Sequence, residues 1–180
     1  MNVIENRVYL NELSELAESL KLSYSKIPDN IKVPDVNEAN ILFICNLSDS
    51  QKNYLLKNSE CLLYTPSFEH FGIVPLEAMY LNCPVVAVRN GGPLESIEDG
   101  KTGILCESDE REFAKAIAHI LKVGKSPFSG RVRVEKSFSL ASFAGALNIR
   151  IMELKKDGEA WWVFLATWAV LVCLLCLLFL

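Results

Sequence analysis

The chain has 180 residues, a formal net charge of −4 and 22% charged residues. That length holds one domain with a sizeable core plus an appendage, and the acidic balance leaves no basic footprint, so no nucleic acid partner is expected. The six cysteines are scattered, and only Cys173 and Cys176, inside an apolar tail, have Cys-x-x-Cys spacing. They read as reduced, buried thiols of a domain facing the cytosol rather than as metal ligands.

In chain order, residues 1–10 carry charges where a signal peptide has its apolar core, so no leader is expected. Leu10, Leu13, Leu16, Ala17 and Leu20 form a helical stripe over Val8–Leu20. Residues 23–40 contain Pro28, Pro34 and many polar side chains, which reads as a surface loop. Ile41–Cys45 is a buried strand, and Ser48 with Gln51 is a capping box opening a short helix. Cys61–Thr65 is a second strand, followed by a loop and a helix from Pro75, a residue suited to a first turn. Pro84–Val88 is a third strand, followed by Asn90-Gly91-Gly92 and a short helix over Pro93–Ile97. Gly100 and Gly103 turn the chain into a fourth strand, Ile104–Cys106.

Asp109 with Glu112 caps a helix carrying Phe113, Ala116, Ile117, Ile120 and Leu121. After a loop around Pro127–Gly130, Ser139 starts a long helix with Leu140, Phe143, Ala144, Leu147, Ile151 and Leu154 on one face. Short apolar strands alternating with helices predict an α/β fold with a Rossmann-like parallel sheet. The strands are fewer than a doubly wound domain usually has, and no glycine-rich first turn appears near the N-terminus. From Trp161 to Leu180 there are twenty residues without a charge, roughly 30 Å of helix, the thickness of a bilayer core. With Trp161 and Trp162 at the interface and Lys155 and Lys156 outside it, this predicts a C-terminal transmembrane anchor. The expected boundaries are a domain over 1–154, a linker over 155–160 and the anchor over 161–180.

The stretch 64-YTPSFEHFGIVPLEAM-79 carries the chemistry. In parallel α/β sheets ligands bind at the carboxyl ends of strands, and the N-terminus of the following helix bears roughly half a positive charge. That end favours phosphate, and Gly72 allows close approach to the backbone. Asn90-Gly91-Gly92 repeats the arrangement one strand over, so two helix N-termini are expected to converge on a diphosphate. Glu77 would take a ribose diol and Glu69 the hydroxyls of a sugar, the remaining parts of a sugar nucleotide. Two other readings stay open on these residues alone. Glu77 complements the helix dipole and nothing more, or the two carboxylates form a glycosidase pair, which a loop residue and a helix residue provide poorly.

The run 69-EHFGIVPLEAMYLNCPVVAVRNGGPLESIEDGKTGILCE-107 resembles the donor-binding signature of retaining glycosyltransferases of family four, which have the GT-B fold. Within that family YTPS-x-EHFGIVPLEAM and GGPLESI resemble the mannosyltransferases of the eukaryotic dolichol pathway; 48-SDSQKNYLL-56 and 130-GRVRVEKSFS-139 fit too. The resemblance runs from about Asn2 to Leu154.

It implies that Glu69 is the catalytic-site glutamate near the donor sugar and that Glu77 holds the ribose. Phe71, Gly72, Ile73 and Val74 would line the donor with their backbone, and Gly91 and Gly92 would form the glycine loop. It implies GDP-mannose as donor, a dolichol-linked oligosaccharide as acceptor, other dolichol-pathway transferases as possible neighbours, and the cytosolic face of the endoplasmic reticulum membrane as the location. The sequon at Asn46 is then expected to carry no glycan. No Asp-x-Asp occurs, so neither a metal nor another cofactor is expected. The alternatives are a non-catalytic, membrane-tethered sugar-nucleotide module and a family-four transferase using a UDP-sugar.

Family members have two Rossmann-like domains, and this chain resembles most of the second. It is therefore expected to be an incomplete C-terminal donor domain, with doubtful activity by itself. The family's diphosphate-binding Arg and Lys have no match here, since neither Arg89 nor Lys101 lies at those positions.

Overall fold

In this computed structural model residues 3–27 and 39–178 are described, and the chain divides into two compact units, Met1–Leu55 and Leu56–Leu180. The first unit opens with α1 (Val3–Ser19), on which Ser14 and Ala17 are buried while Leu16, and Leu20 just past its end, are exposed. The apolar stripe read from the sequence is thus rotated toward Ser14, whose hydroxyl donates to the Leu10 carbonyl (2.7 Å) and so enters the interior satisfied.

A parallel pair follows, β1 (Tyr24–Ile27) against β2 (Ile41–Ile44), with Tyr24 opposite Ile41 and Ile27 opposite Ile44. Residues 23–40 were expected to be loop throughout; β1 corrects the first part, and residues 28–38 lie outside the described residues. The strand escapes local reading because its partner lies beyond two prolines. Its entry is closed by reciprocal bonds, Ser23 N–H to Asn40 Oδ1 and Asn40 N–H to Ser23 Oγ, each 3.0 Å. α2 (Asp49–Asn58) begins at the expected capping box. Ser48 N–H donates to Gln51 Oε1 (2.9 Å) and Gln51 N–H to Ser48 Oγ (3.3 Å).

The second unit holds a three-stranded parallel sheet in the order β3 (Leu62–Tyr64), β4 (Val85–Val88), β5 (Gly103–Cys106). Every residue of β4 is buried, as a central strand covered on both faces requires. Val85 and Ala87 join Ala78, Met79, Ile97 and Leu105 in one cluster. Val86, on the opposite face, joins Cys106, Ala116 and Ile120. This period-two alternation places α3 (Ile73–Tyr80) on one face and α5 (Glu110–Val123) on the other.

α5 starts at Asp109, whose Oδ1 accepts from the N–H groups of Arg111 (2.9 Å) and Glu112 (3.2 Å). Between β4 and β5 lies α4 (Pro93–Ser96), a single turn. α6 (Gly130–Ser137) packs on α3, and a Cβ at Gly130 would come within 2.8 Å of Met79 Cβ, so glycine sets that approach. Burial pushes the Cys83 thiol up to about 11, in keeping with an inert core cysteine; Cys45, by contrast, is exposed, so the expectation of buried thiols fails there.

The chain ends in α7 (Leu140–Leu178), which is helical without a break through 155–160, the stretch read as a linker. The face formed by Leu140, Phe143, Leu147, Ile151 and Leu154 is present but exposed. Among the described residues no helix is long and apolar enough to cross a membrane. The anchor expected over 161–180 is therefore not supported by this structure.

Met79 is 1% exposed at the junction of α3, the sheet and α6. Met79→Ala should lower the unfolding free energy by about 2–5 kcal/mol, the cost of a cavity in a packed core. Urea unfolding of the full chain measures this, and a change below about 1 kcal/mol would show that the site collapses around the smaller side chain.

Candidate functional site

Parallel pairing sets Tyr64, at the end of β3, beside Ala87 near the end of β4. The loops that leave these two ends, residues 65–72 and 89–92, therefore emerge side by side. The first folds back over its own strand. Phe68 takes a left-handed conformation (φ 64°), and Gly72 (φ 76°) lies so close to the Tyr64 ring that a Cβ would sit 2.7 Å from the hydroxyl oxygen. The second loop presses against the first. A Cβ on Gly91 (φ 59°) would overlap the Glu69 carbonyl, and one on Gly92 would overlap the Phe71 backbone. The Gly92 N–H donates to that Glu69 carbonyl at 2.8 Å. Gly91 and Gly92 thus face the Glu69 loop, a packing duty that the sequence pattern did not separate from approach to a ligand.

Gly72 caps α3 without a side-chain hydrogen bond. Among the described residues the N–H groups of Ile73 and Val74 have no protein acceptor; both residues are exposed, and Pro75 contributes no N–H. The α4 turn is different, because its amides are used internally. Leu94 N–H goes to Gly91 O (3.1 Å) and Glu95 N–H to Gly92 O (3.0 Å). Two open helix N-termini were expected here; α3 alone presents free donors.

Glu77 is the fifth residue of α3, in its second turn and half-buried, and α3 has no acidic residue in its first turn. Since dipole stabilisation fades beyond the first turn, complementing the helix end does not account for Glu77. Glu69 is exposed on the loop, and Phe71 is half-buried beside Gly72. The Tyr64 hydroxyl is held above its ordinary range, by burial first and then by the negative charge of Glu69.

Arg89 and Lys101 are already engaged. Arg89 donates to Asp99 Oδ2 (2.5 Å) and to the Leu105 carbonyl (2.6 Å), and Lys101 pairs with Glu98 at 3.6 Å. A cavity of about 500 Å³ lined by Arg89, Asp99, Glu112 and His119 opens beside β5 and includes neither Glu69 nor Glu77.

Two residues that sequence reasoning passed over buttress both loops. The Arg133 guanidinium donates through Nε to Ser96 O (2.7 Å), through Nη2 to Glu95 O (2.6 Å) and through Nη1 to Glu98 Oε1. It lies over the Phe138 ring (5.5 Å), which itself meets the Phe71 ring with centroids 5.9 Å apart. Both belong to the run 130–139, whose resemblance was visible while its role was not.

Asp99 fixes Arg89, the residue before the glycine loop. Burial raises its carboxyl pKa, but the Leu105 N–H (2.9 Å) and the Arg89 guanidinium outweigh that and hold it below its ordinary value. A depressed folded-state pKa contributes stability that is complete above the unfolded value, about 4, and is lost as pH falls through the folded one. Asp99→Asn should therefore flatten the loss of stability below about pH 4. Denaturant midpoints collected from pH 6 to 2.5 measure it, and parallel acid limbs for both proteins would remove the ion pair from the account.

The family described as glycosyl transferases group 1 matches residues 36–131. An alpha-1,3/1,6-mannosyltransferase ALG2 from Dictyostelium discoideum is 41% identical over 154 residues, covering 83% of this chain and 33% of that protein. The human protein of the same name is 44% identical over 135 residues, covering 73% of this chain and 32% of its own length. The chain thus spans about a third of the curated relatives it matches. In fold it is similar to Anabaena Alr3699/HepE, crystallised in complex with UDP-glucose. The TM-score is 0.61 at 18% identity, covering 82% of this chain and 37% of that one. With a matched span from Val36 to Arg131 that contains both loops, both glutamates and the glycine pair, the chain belongs to the group 1 glycosyl transferases.

Proposed function

We propose that this chain is the donor-binding part of a retaining mannosyltransferase of GT-B fold, which moves mannose from GDP-mannose to a dolichol-diphosphate-linked oligosaccharide. The observation that carries the reading is the open N-terminus of α3, set at the end of β3 between Glu69 on the loop and Glu77 on the helix. Free N–H groups on Ile73 and Val74, with the helix's partial positive charge, suit a diphosphate. Glu77, one turn further in, is placed for a ribose diol, and Glu69 for the hydroxyls of the sugar.

In such a reaction charge develops on the departing diphosphate, and donors already in position stabilise it without reorganising. With Arg89 and Lys101 paired to Asp99 and Glu98, that help comes from the α3 backbone in the part of the site described here. The mannosyltransferase name of the ALG2 relatives supports mannose as the sugar, and the resemblance of YTPS-x-EHFGIVPLEAM and GGPLESI supports the dolichol pathway as the setting. The bound UDP-glucose of the Anabaena protein supports sugar-nucleotide recognition by the fold and favours the UDP-sugar reading as the rival.

Calorimetric titration of the full chain with GDP-mannose and UDP-glucose tests this. Tighter GDP-mannose binding supports the proposal, tighter UDP-glucose binding moves it to the rival donor, and binding of neither overturns it. Glu77→Ala should weaken GDP-mannose by about 1–3 kcal/mol, the usual cost of leaving hydrogen-bonding partners unmatched. An unchanged affinity in a folded variant would remove Glu77 from the ribose.

The cytosolic face of the endoplasmic reticulum membrane is the location that the dolichol-pathway reading requires, and the uncharged run 161–180 is the segment through which the domain would be held there. In microsomes, deletion of 161–180 should release the domain in folded form, and Asn46 should carry no glycan. A glycosidase-sensitive mass on the wild type that disappears in Asn46→Gln would reverse the orientation.

A further inference from the structure

We infer that Arg133 is a positioning residue that holds the Glu69 loop in its donor-binding geometry, acting through both ends of a closed ring of contacts. The inference rests on the reading of Glu69 as the sugar-facing residue of the donor site. One arm of the ring is polar. The guanidinium takes the last two carbonyls of α4, Glu95 O and Ser96 O, at 2.6 and 2.7 Å, together with the Glu98 carboxylate. α4 is one turn long, so fixing its C-terminal end fixes Gly91 and Gly92 at its start. Gly92 N–H then holds the Glu69 carbonyl at 2.8 Å.

The other arm is apolar. Arg133 lies over Phe138, and Phe138 packs against Phe71, two residues after Glu69 and directly before the α3 cap. Glu69 and Phe71 are thus gripped from two sides by a single side chain that touches neither.

Three features make this more than a surface contact. The Arg133 side chain is only 22% exposed, which strengthens its hydrogen bonds relative to those of a solvated arginine. Its planar fork meets three acceptors within residues 95–98 while presenting a face to an aromatic ring, and lysine cannot reproduce that geometry. The loop it steadies contains Phe68 at φ 64°, a conformation a non-glycine residue keeps only where its surroundings impose it. Released from the clamp, residues 65–72 would relax away from that strained geometry, and the Glu69 carboxylate would lose its place relative to the α3 amides.

The test uses the full chain with Arg133→Lys and, as a second variant that leaves the polar arm intact, Phe138→Leu. Amide hydrogen exchange and calorimetry with GDP-mannose and GDP are measured on each. In Arg133→Lys, exchange at Gly92 should accelerate about tenfold while the β4 amides keep their protection, as in a local opening. GDP-mannose should weaken about tenfold and GDP by less than about twofold, since only the sugar depends on the Glu69 loop. Phe138→Leu should shift the same pair of affinities in the same direction.

Unchanged exchange at Gly92 overturns the inference. Equal weakening of GDP-mannose and GDP, or acceleration spread over β4 as well, also overturns it, by showing a general brace rather than a positioning residue. Should the wild type bind neither ligand, the donor reading fails, and the exchange data still decide whether the clamp exists.

Discussion

The Gly92 amide meets the Glu69 carbonyl at 2.8 Å, and the approach exists only because two successive residues lack a Cβ. Any side chain at Gly91 or Gly92 would run into the backbone of Glu69 or Phe71, which cannot swing aside as a flexible side-chain tip can. The rest of the site follows from that contact. It draws the loop after β3 against the loop after β4, satisfies the first amide of the α4 region and directs the 65–72 segment toward the start of α3. The amides of α4 are consumed by this arrangement, which leaves those of α3 as the open donors.

The contact needs a rigid floor, and β4 supplies it. With all four residues buried and Val85, Val86 and Ala87 alternating between two apolar clusters, the strand cannot slip by one position without driving its side chains into the wrong layer. Register with β3 and β5 then fixes where both loops begin. Strain is confined to loop positions such as Phe68, above this floor rather than within it.

Charge is distributed in a consistent way. Arg89, Lys101 and Arg133 are each paired with a carboxylate, Asp99, Glu98 and Glu98 respectively, so their positive charge goes into holding segments together. The positive end facing the loop is made of backbone. A backbone donor array is rigid and needs no side-chain ordering when an anion arrives.

Much of this is legible in the amino-acid sequence. The apolar runs around Leu62–Tyr64, Val85–Val88 and Ile104–Cys106, and the caps at Ser48 and Asp109, are local signals of short range, and each appears within a residue or two of its expected place. The Glu69 to Glu107 signature carried the family for the same reason, since its residues are contiguous. What the chain order conceals is anything that joins distant segments. β1 is a strand only because Asn40 and β2 come back to it, and the start of α3 at Ile73 moves Glu77 from the first turn to the second. The two glycines act on Glu69 and Phe71 across some twenty residues of chain, and Arg133 reaches Glu95 and Ser96 from 38 and 37 residues away. Residue types and their spacing determined which elements form and which chemistry they carry. Only the tertiary structure decided which amides stay free, which cations are already paired and what holds the Glu69 loop still, because each depends on contacts that exist only when the sheet brings the loops together.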